Sequence, residues 1–234
     1  MILCVETATD LCSVALCDTG GTVALRDNDK GRSHASVLTV FIEEILMEAG
    51  IRAGNLDAIA VSKGPGSYTG LRIGVSVAKG MAYAASIPLI GVDTTCSMFH
   101  GFSDKTTKES DITCIDLFCP ALDARRMEVY YAVYNSKGNI VSNIKAEIMD
   151  KNSFSEFPET SRIFLFGDGA VKCLGVVNRK NVIIVTDFRM SASFMHKPAY
   201  EALNSNRFED VAYFEPFYLK DFLTSKPVKN ILGK

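Results

Sequence analysis

The chain has 234 residues, a formal net charge of −2 and a hydrophobic fraction of 47%, with a pI near 6.0. That length holds one large domain or two small ones, and the composition excludes a disordered chain. The near-neutral balance gives no general electrostatic footprint for nucleic acid, so if RNA is involved a partner should carry most of the phosphate contacts.

Residues 1–5, Met1-Ile2-Leu3-Cys4-Val5, read as a buried strand. No basic flank precedes them, as a signal peptide would require, and no apolar run approaches the roughly 18–20 residues of a membrane span. A cytoplasmic location is the expectation. Glu6 to Asp10 is a polar loop, Cys12–Cys17 a second strand, Asp18-Thr19-Gly20-Gly21 a turn and Thr22–Leu25 a third strand, which makes an antiparallel meander. Ser33 is a plausible N-cap for a helix whose apolar face carries Val37, Leu38, Phe41, Ile42, Ile45, Leu46 and Ala49, and Gly50 stops it. A strand at 58–61, the turn Lys63-Gly64-Pro65-Gly66-Ser67-Tyr68-Thr69-Gly70, a helix at about 68–85 and a strand at 88–92 follow, then a short helix after Asp93.

The pattern then repeats. Strands are expected within 111–118, at 128–134 and from Ile140, a loop or short helix at 151–160, a strand at 162–166 ending in Gly167-Asp168-Gly169, a helix-like segment from Ala170, a strand at 182–185 and a helix at roughly 190–204. Each half reads βββ–α–β–glycine turn–α–β–α. The fold class is therefore α/β with two similar lobes, each a mixed sheet with flanking helices, facing a cleft. The boundary is expected in the polar stretch Ser103–Ser110, giving an N-terminal lobe 1–103 and a C-terminal lobe 104–234 whose last helix packs back on the first. The loops Glu6–Thr9 and Gly167–Gly169 are expected at equivalent places, with room for a nucleotide between Glu6, Thr7, Gly167, Asp168 and Gly169.

The glycine turn precedes a helix and so could cradle an anion. It fits neither G-x-x-x-x-G-K nor G-x-G-x-x-G, because Thr69 or Leu71 stands where a glycine is needed. Behind it Gly70, Gly74, Ala78 and Ala82 recur at i+4, with Leu71 and Val75 beside them. Packing on the chain's own sheet accounts for much of such a helix, and a second smooth face suggests a further helix or a partner. Ser67 has no recognisable base. His34, His100 and His196 form no metal motif, and the seven cysteines contain no C-x-x-C, which favours reduced buried thiols. No catalytic residue and no metal site are expected. Glu6 and Asp168 are candidate carboxylates for a nucleotide or a water, with solvated strand ends as the alternative. Lys220, Lys226, Lys229 and Lys234 read as a solvated tail rather than an RNA arm.

Several blocks in order resemble the TsaB (YeaZ) family. They are Ile2–Thr9 with Ser13–Leu16, Arg32–Leu38, Gly64–Gly74, Asp123–Tyr130 and Gly167–Gly169, with a weaker match at Pro216–Lys220. The resemblance implies an actin/Hsp70-like (ASKHA, RNase H-like) fold. It also implies a non-catalytic scaffold that pairs with its paralogue TsaD, joined by the ATPase TsaE, in transferring threonylcarbamoyl from threonylcarbamoyl-AMP to N6 of adenosine 37 in tRNAs reading ANN codons. Contact with tRNA would be indirect, ATP or ADP would belong to the complex, and the lone chain would form a homodimer. The implied interface lies on the helices at 33–49 and 68–85, with Ser33, His34, Val37, Leu38, Phe41, Gly70, Leu71, Gly74, Val75, Ala78 and Ala82. The paralogue carries H-x-x-x-H where Thr94 and Met98 stand here, and neither replaces imidazole. The family's first strand usually ends in aspartate; Glu6 carries one methylene more. The alternative from another class is a nucleotide-dependent kinase or hydrolase using the cleft.

Overall fold

A computed structural model describes residues 1–28, 34–109 and 112–220. The first lobe is built on strands β1 (Ile2–Glu6), β2 (Cys12–Asp18), β3 (Gly21–Asn28), β4 (Ala58–Gly64) and β5 (Leu89–Asp93), in the order β3-β2-β1-β4-β5. The meander pairs antiparallel; β1–β4 and β4–β5 pair parallel, with Val5 beside Val61 and Ala60 beside Ile90. The second lobe repeats the order with β6 (Leu117–Asp123), β7 (Glu128–Asn135), β8 (Ile140–Ile148), β9 (Ile163–Phe166) and β10 (Val182–Val185), as β8-β7-β6-β9-β10. The second lobe thus repeats the strand order of the first, the duplication expected from the sequence.

The central strands are uninterrupted apolar runs because both faces are covered. Leu3, Val5, Ile59 and Val61 point to helices α1 (His34–Glu48) and α2 (Tyr68–Ala85), where Leu38, Ile42, Ile45, Val75 and Ala78 meet them. Ile2, Cys4, Ala58, Ala60, Ile90 and Val92 point the other way, onto Met195, Ala199 and Ala202 at and within α4 (His196–Asn204). Gly50, at φ 65, ends α1 in the left-handed conformation, with Ile51 N donating to Leu46 O at 3.0 Å.

Four elements differ from the sequence expectation. The strand expected within 111–118 is β6, which begins only at Leu117 and runs on to Asp123. The helix after Asp93 is long: α3 (Thr94–Glu109) runs through the polar stretch read as a boundary, and buries Met98, Phe99 and Phe102 against Phe118 and Phe166 of the second lobe. The two lobes therefore share this helix. The segment from Ala170 is only a 3-10 turn, Ala170–Cys173, and the last helical stretch is a 3-10 turn, Ala192–Met195, leading into α4. Ser33, Lys226, Lys229 and Lys234 lie outside the described residues. Among the described residues no helix is long and apolar enough to cross a membrane.

Candidate functional site

The glycine turn is laid directly on the loop that follows β1. Ser67 N donates to Ala8 O at 2.6 Å. A Cβ added at Gly66 would collide with Ala8 O, one at Gly70 with Thr7 O and one at Gly74 with Thr7 Oγ1. Ser67 Oγ caps the helix by accepting from Gly70 N at 3.3 Å. The turn is thus filled by the chain's own backbone. Gly64, at φ 119, faces Phe217 O, 2.5 Å from where its Cβ would lie.

The second lobe does the same at its equivalent turn. Gly169 N donates to Ala121 O at 3.0 Å, and a Cβ at Gly167 or Gly169 would strike the backbone of Ala121 or Leu122. This corrects the expected equivalence of Glu6–Thr9 with Gly167–Gly169. By strand order, Gly167–Gly169 follows β9 and matches the turn after β4, whereas Glu6 ends β1 and matches Asp123 at the end of β6.

Glu6 and Thr7 are fully buried. Glu6 Oε1 accepts from Ala8 N at 2.6 Å and from Ser62 Oγ at 3.0 Å, while Oε2 has no partner among the described residues. Burial pushes the Glu6 carboxyl up to about 7 against those hydrogen bonds, with the Asp168 charge adding to the rise. Asp168 accepts from Asp123 N at 3.2 Å. Its residue surface is open, but the surrounding protein crowds the carboxyl and, with the Asp123 and Asp10 charges, moves it up to about 6. The Glu6 and Asp168 charges therefore reach each other, and the glycine turns near them are filled by the chain's own backbone.

Thr94 and Met98, where the family resemblance implies a histidine pair in the paralogue, are buried too. Thr94 is fully buried, its Oγ1 without a partner among the described residues, and Met98 lays its Cε where a side chain at Gly167 would go. Among the described residues no three His, Cys, Asp or Glu side chains gather as a metal would need.

The expected interface residues lie mostly inside. Leu38, Gly70, Leu71, Gly74, Val75, Ala78 and Ala82 are buried against the chain's own sheet and the β1–β2 loop. His34 Nε2 sits 3.0 Å from Thr9 O. Val37 and Phe41 are half-buried against the same core. The i+4 stripe Gly70–Gly74–Ala78–Ala82 is the inward face of α2, the packing on the chain's own sheet that the sequence also allowed. The outward face carries Arg72, Ser76, Gly80, Tyr83 and Ala84. Between α1 and α2 an apolar groove of about 460 Å³ opens to solvent, lined by Ile42, Leu46, Met47, Val77 and Met81, with Glu43 and Arg52 at its rim. Met47 is 73% exposed.

Sequence reasoning missed the segment after α4. Glu209 N donates to Leu89 O at 2.8 Å, Lys79 Nζ to Phe214 O at 2.7 Å and Phe217 N to Lys63 O at 2.6 Å. Tyr218 packs on Tyr68 with ring centroids 4.7 Å apart and accepts from Arg72 Nε at 3.1 Å. Lys220 then reaches Glu128 on the second lobe. This strap leaves a pocket of about 390 Å³ bordered by Lys63, Asp93, Ile144, Glu209, Phe214 and Phe217. The block Pro216–Lys220 was its only sequence signal.

A family model described as TsaD, tRNA N6-adenosine threonylcarbamoyltransferase, matches residues 27–214. The chain is 37% identical over 138 residues to the tRNA threonylcarbamoyladenosine biosynthesis protein TsaB of Escherichia coli (strain K12), covering 59% of this chain and 56% of that protein. It is 33% identical over 133 residues to the tRNA N6-adenosine threonylcarbamoyltransferase of Halalkalibacterium halodurans, covering 50% and 38%. The chain spans about half the length of the TsaB relatives it matches. The solved structure of YeaZ from Pseudomonas aeruginosa superposes with a TM-score of 0.78 at 24% identity, over 93% of this chain and 99% of that one, which shows the shared fold.

Proposed function

The chain belongs to the TsaD family, in its TsaB (YeaZ) branch, and we propose that it serves as a non-catalytic subunit in the synthesis of threonylcarbamoyladenosine on tRNA. In this reading a TsaD-type paralogue transfers the threonylcarbamoyl group from threonylcarbamoyl-AMP to N6 of adenosine 37, the ATPase TsaE acts on the pair, and this chain positions the paralogue.

The observation that carries the reading is the open apolar groove between α1 and α2. A surface of exposed Met with Ile, Leu and Val side chains, rimmed by one acid and one arginine, has the make-up of a protein contact. The filled glycine turns and the non-ligating Thr94 and Met98 agree with a subunit whose own cleft does no transfer. A second copy of the chain and the paralogue would compete for one groove, so the two pairings exclude each other.

Reconstitution with the paralogue, the ATPase and tRNA tests this. Modification should depend on adding the chain. Met47→Lys should weaken the pairing at least tenfold, about 1.4 kcal/mol, and lower modification with it. The fold should hold, because Met47 is exposed and the lysine gains Glu43 at i−4. Full modification without the chain would overturn the reading. Two raised carboxylates in one cleft favour the kinase or hydrolase alternative; that alternative requires the lone chain to turn over ATP and Glu6→Ala to abolish the turnover.

A further inference from the structure

Apart from Asp123, the block Asp123–Tyr130 plays no part in the groove or the cleft, yet it holds the most unusual backbone on the second lobe. It is the hairpin from β6 to β7, closed by Ala124 N donating to Glu128 O at 3.1 Å and Glu128 N to Arg125 O at 3.3 Å. Its consecutive residues Arg125 (φ 66) and Arg126 (φ 52) are both left-handed. Tight hairpins give such positions to Asn and Gly, because a Cβ is strained there. Two arginines held in strain at a turn call for a role outside the fold.

The charges around the turn are arranged unevenly. Asp123 is paired with Lys172, and its Oδ1 accepts from Arg125 N at 2.5 Å. Asp168 takes the Asp123 N–H, and Glu128 is paired with Lys220. Each nearby carboxylate has a donor of its own. Arg125 and Arg126 are exposed, and among the described residues neither guanidinium has a hydrogen-bond or ion-pair partner. Half-buried Tyr130 lies within the electrostatic reach of both Arg125 and Lys220.

We propose that Arg125 and Arg126 contact the phosphate backbone of RNA. Guanidinium forks match phosphate oxygens, and an open turn can touch a polymer without enclosing it. A free nucleotide would need a cradle, and both glycine turns of the cleft are filled. The RNA assignment rests on the subunit reading above. It adds a small direct share to contacts that the chain's net charge assigns mainly to its partner.

The test uses the full chain in two settings: alone with a single-stranded RNA oligonucleotide, and in complex with the paralogue on a tRNA transcript. Arg125→Ala/Arg126→Ala should weaken binding by about tenfold and reduce the slope of log K against log salt by about one to two. Arg125→Asn/Arg126→Gly suits the left-handed turn, so it should raise the melting temperature while losing the same binding. Unchanged affinity and slope for both variants in both settings would overturn the proposal. So would displacement of the RNA by ADP, or a polyglutamate peptide binding with the same arginine dependence. Failure of the complex to assemble counts against the subunit reading instead, and the lone-chain measurement still decides this one.

Discussion

The two lobes share a strand order and differ in what is hung on it. Between the third and fourth strands the first lobe has α1, of 15 residues, and after the fourth it has α2, of 18. At the same places the second lobe has turns and a four-residue 3-10 segment. The sheet order therefore needs only the buried central strands and their register, while the helices are free to change. The apolar groove exists where two long helices lie side by side, and so belongs to the first lobe alone. The glycine turns are the opposite case: both lobes keep them, and both press them onto the end of the first strand.

If that packing is what the turns are for, a methyl group there should be costly in either lobe. Gly70→Ala drives a Cβ into Thr7 O and Gly169→Ala into the Leu122 carbonyl group, and backbone can yield only by moving strand and helix apart. Each should lose about 3 kcal/mol in urea unfolding, at the upper end of overpacking costs. Wild-type stability for either variant would break the equivalence of the two turns.

The first-strand carboxylates sharpen the contrast next. Glu6 and Asp123 end equivalent strands, but Glu6 is fully buried with no cation paired to it among the described residues, and Asp123 is 42% exposed beside Lys172. Because the Glu6 carboxyl is raised from an ordinary 4.5 to about 7, the folded chain keeps a proton between those values that the unfolded chain has released. The stabilisation is complete below about pH 4.5 and disappears as pH rises through about 7. Its size is on the order of 3 kcal/mol. Asp168, moved up to about 6, adds a loss of the same sign over lower pH. Glu6→Gln should flatten the unfolding free energy between pH 5 and about 8 and be more stable than wild type at the upper end. Lys172→Ala, which breaks a rim ion pair, should cost less than about 1 kcal/mol. A wild-type chain whose stability rises with pH over that window would refute the buried-proton account.

The elements that were legible from sequence are those whose burial leaves a pattern. Ile2–Val5 and Ala58–Val61 announce central strands, and Gly50 announces the end of α1, because these positions tolerate few side chains. The direction of a face is harder to read. The i+4 spacing of Gly70, Gly74, Ala78 and Ala82 states that something approaches closely, and a sheet loop satisfies that as well as a partner helix does. The polar stretch of α3 resembles a linker because Asp104 and Lys105 are exposed, although Phe102 and Thr106 beside them are buried. The strap at 205–220 is held largely through backbone groups, such as Glu209 N and Phe217 N, which any residue could supply. The filling of the glycine turns was hidden for the same reason: Ala8 O and Ala121 O occupy them, and carbonyl groups carry no residue code.

The smallest predicted effect separates the two faces of α2. A Cβ at Gly80 meets nothing within 4 Å, so Gly80→Ala on this solvent face should stabilise the chain by about 0.5–1 kcal/mol through helix propensity. That is opposite in sign to Gly70→Ala on the same helix. Gly80 lies one turn from Ser76 and from Ala84 on the outward face, one position before the groove residue Met81. If a partner helix crosses there, the added methyl holds it away, and the variant should be more stable by unfolding yet weaker in complex titration. A gain in both measurements would confine the contact to the groove side of α2.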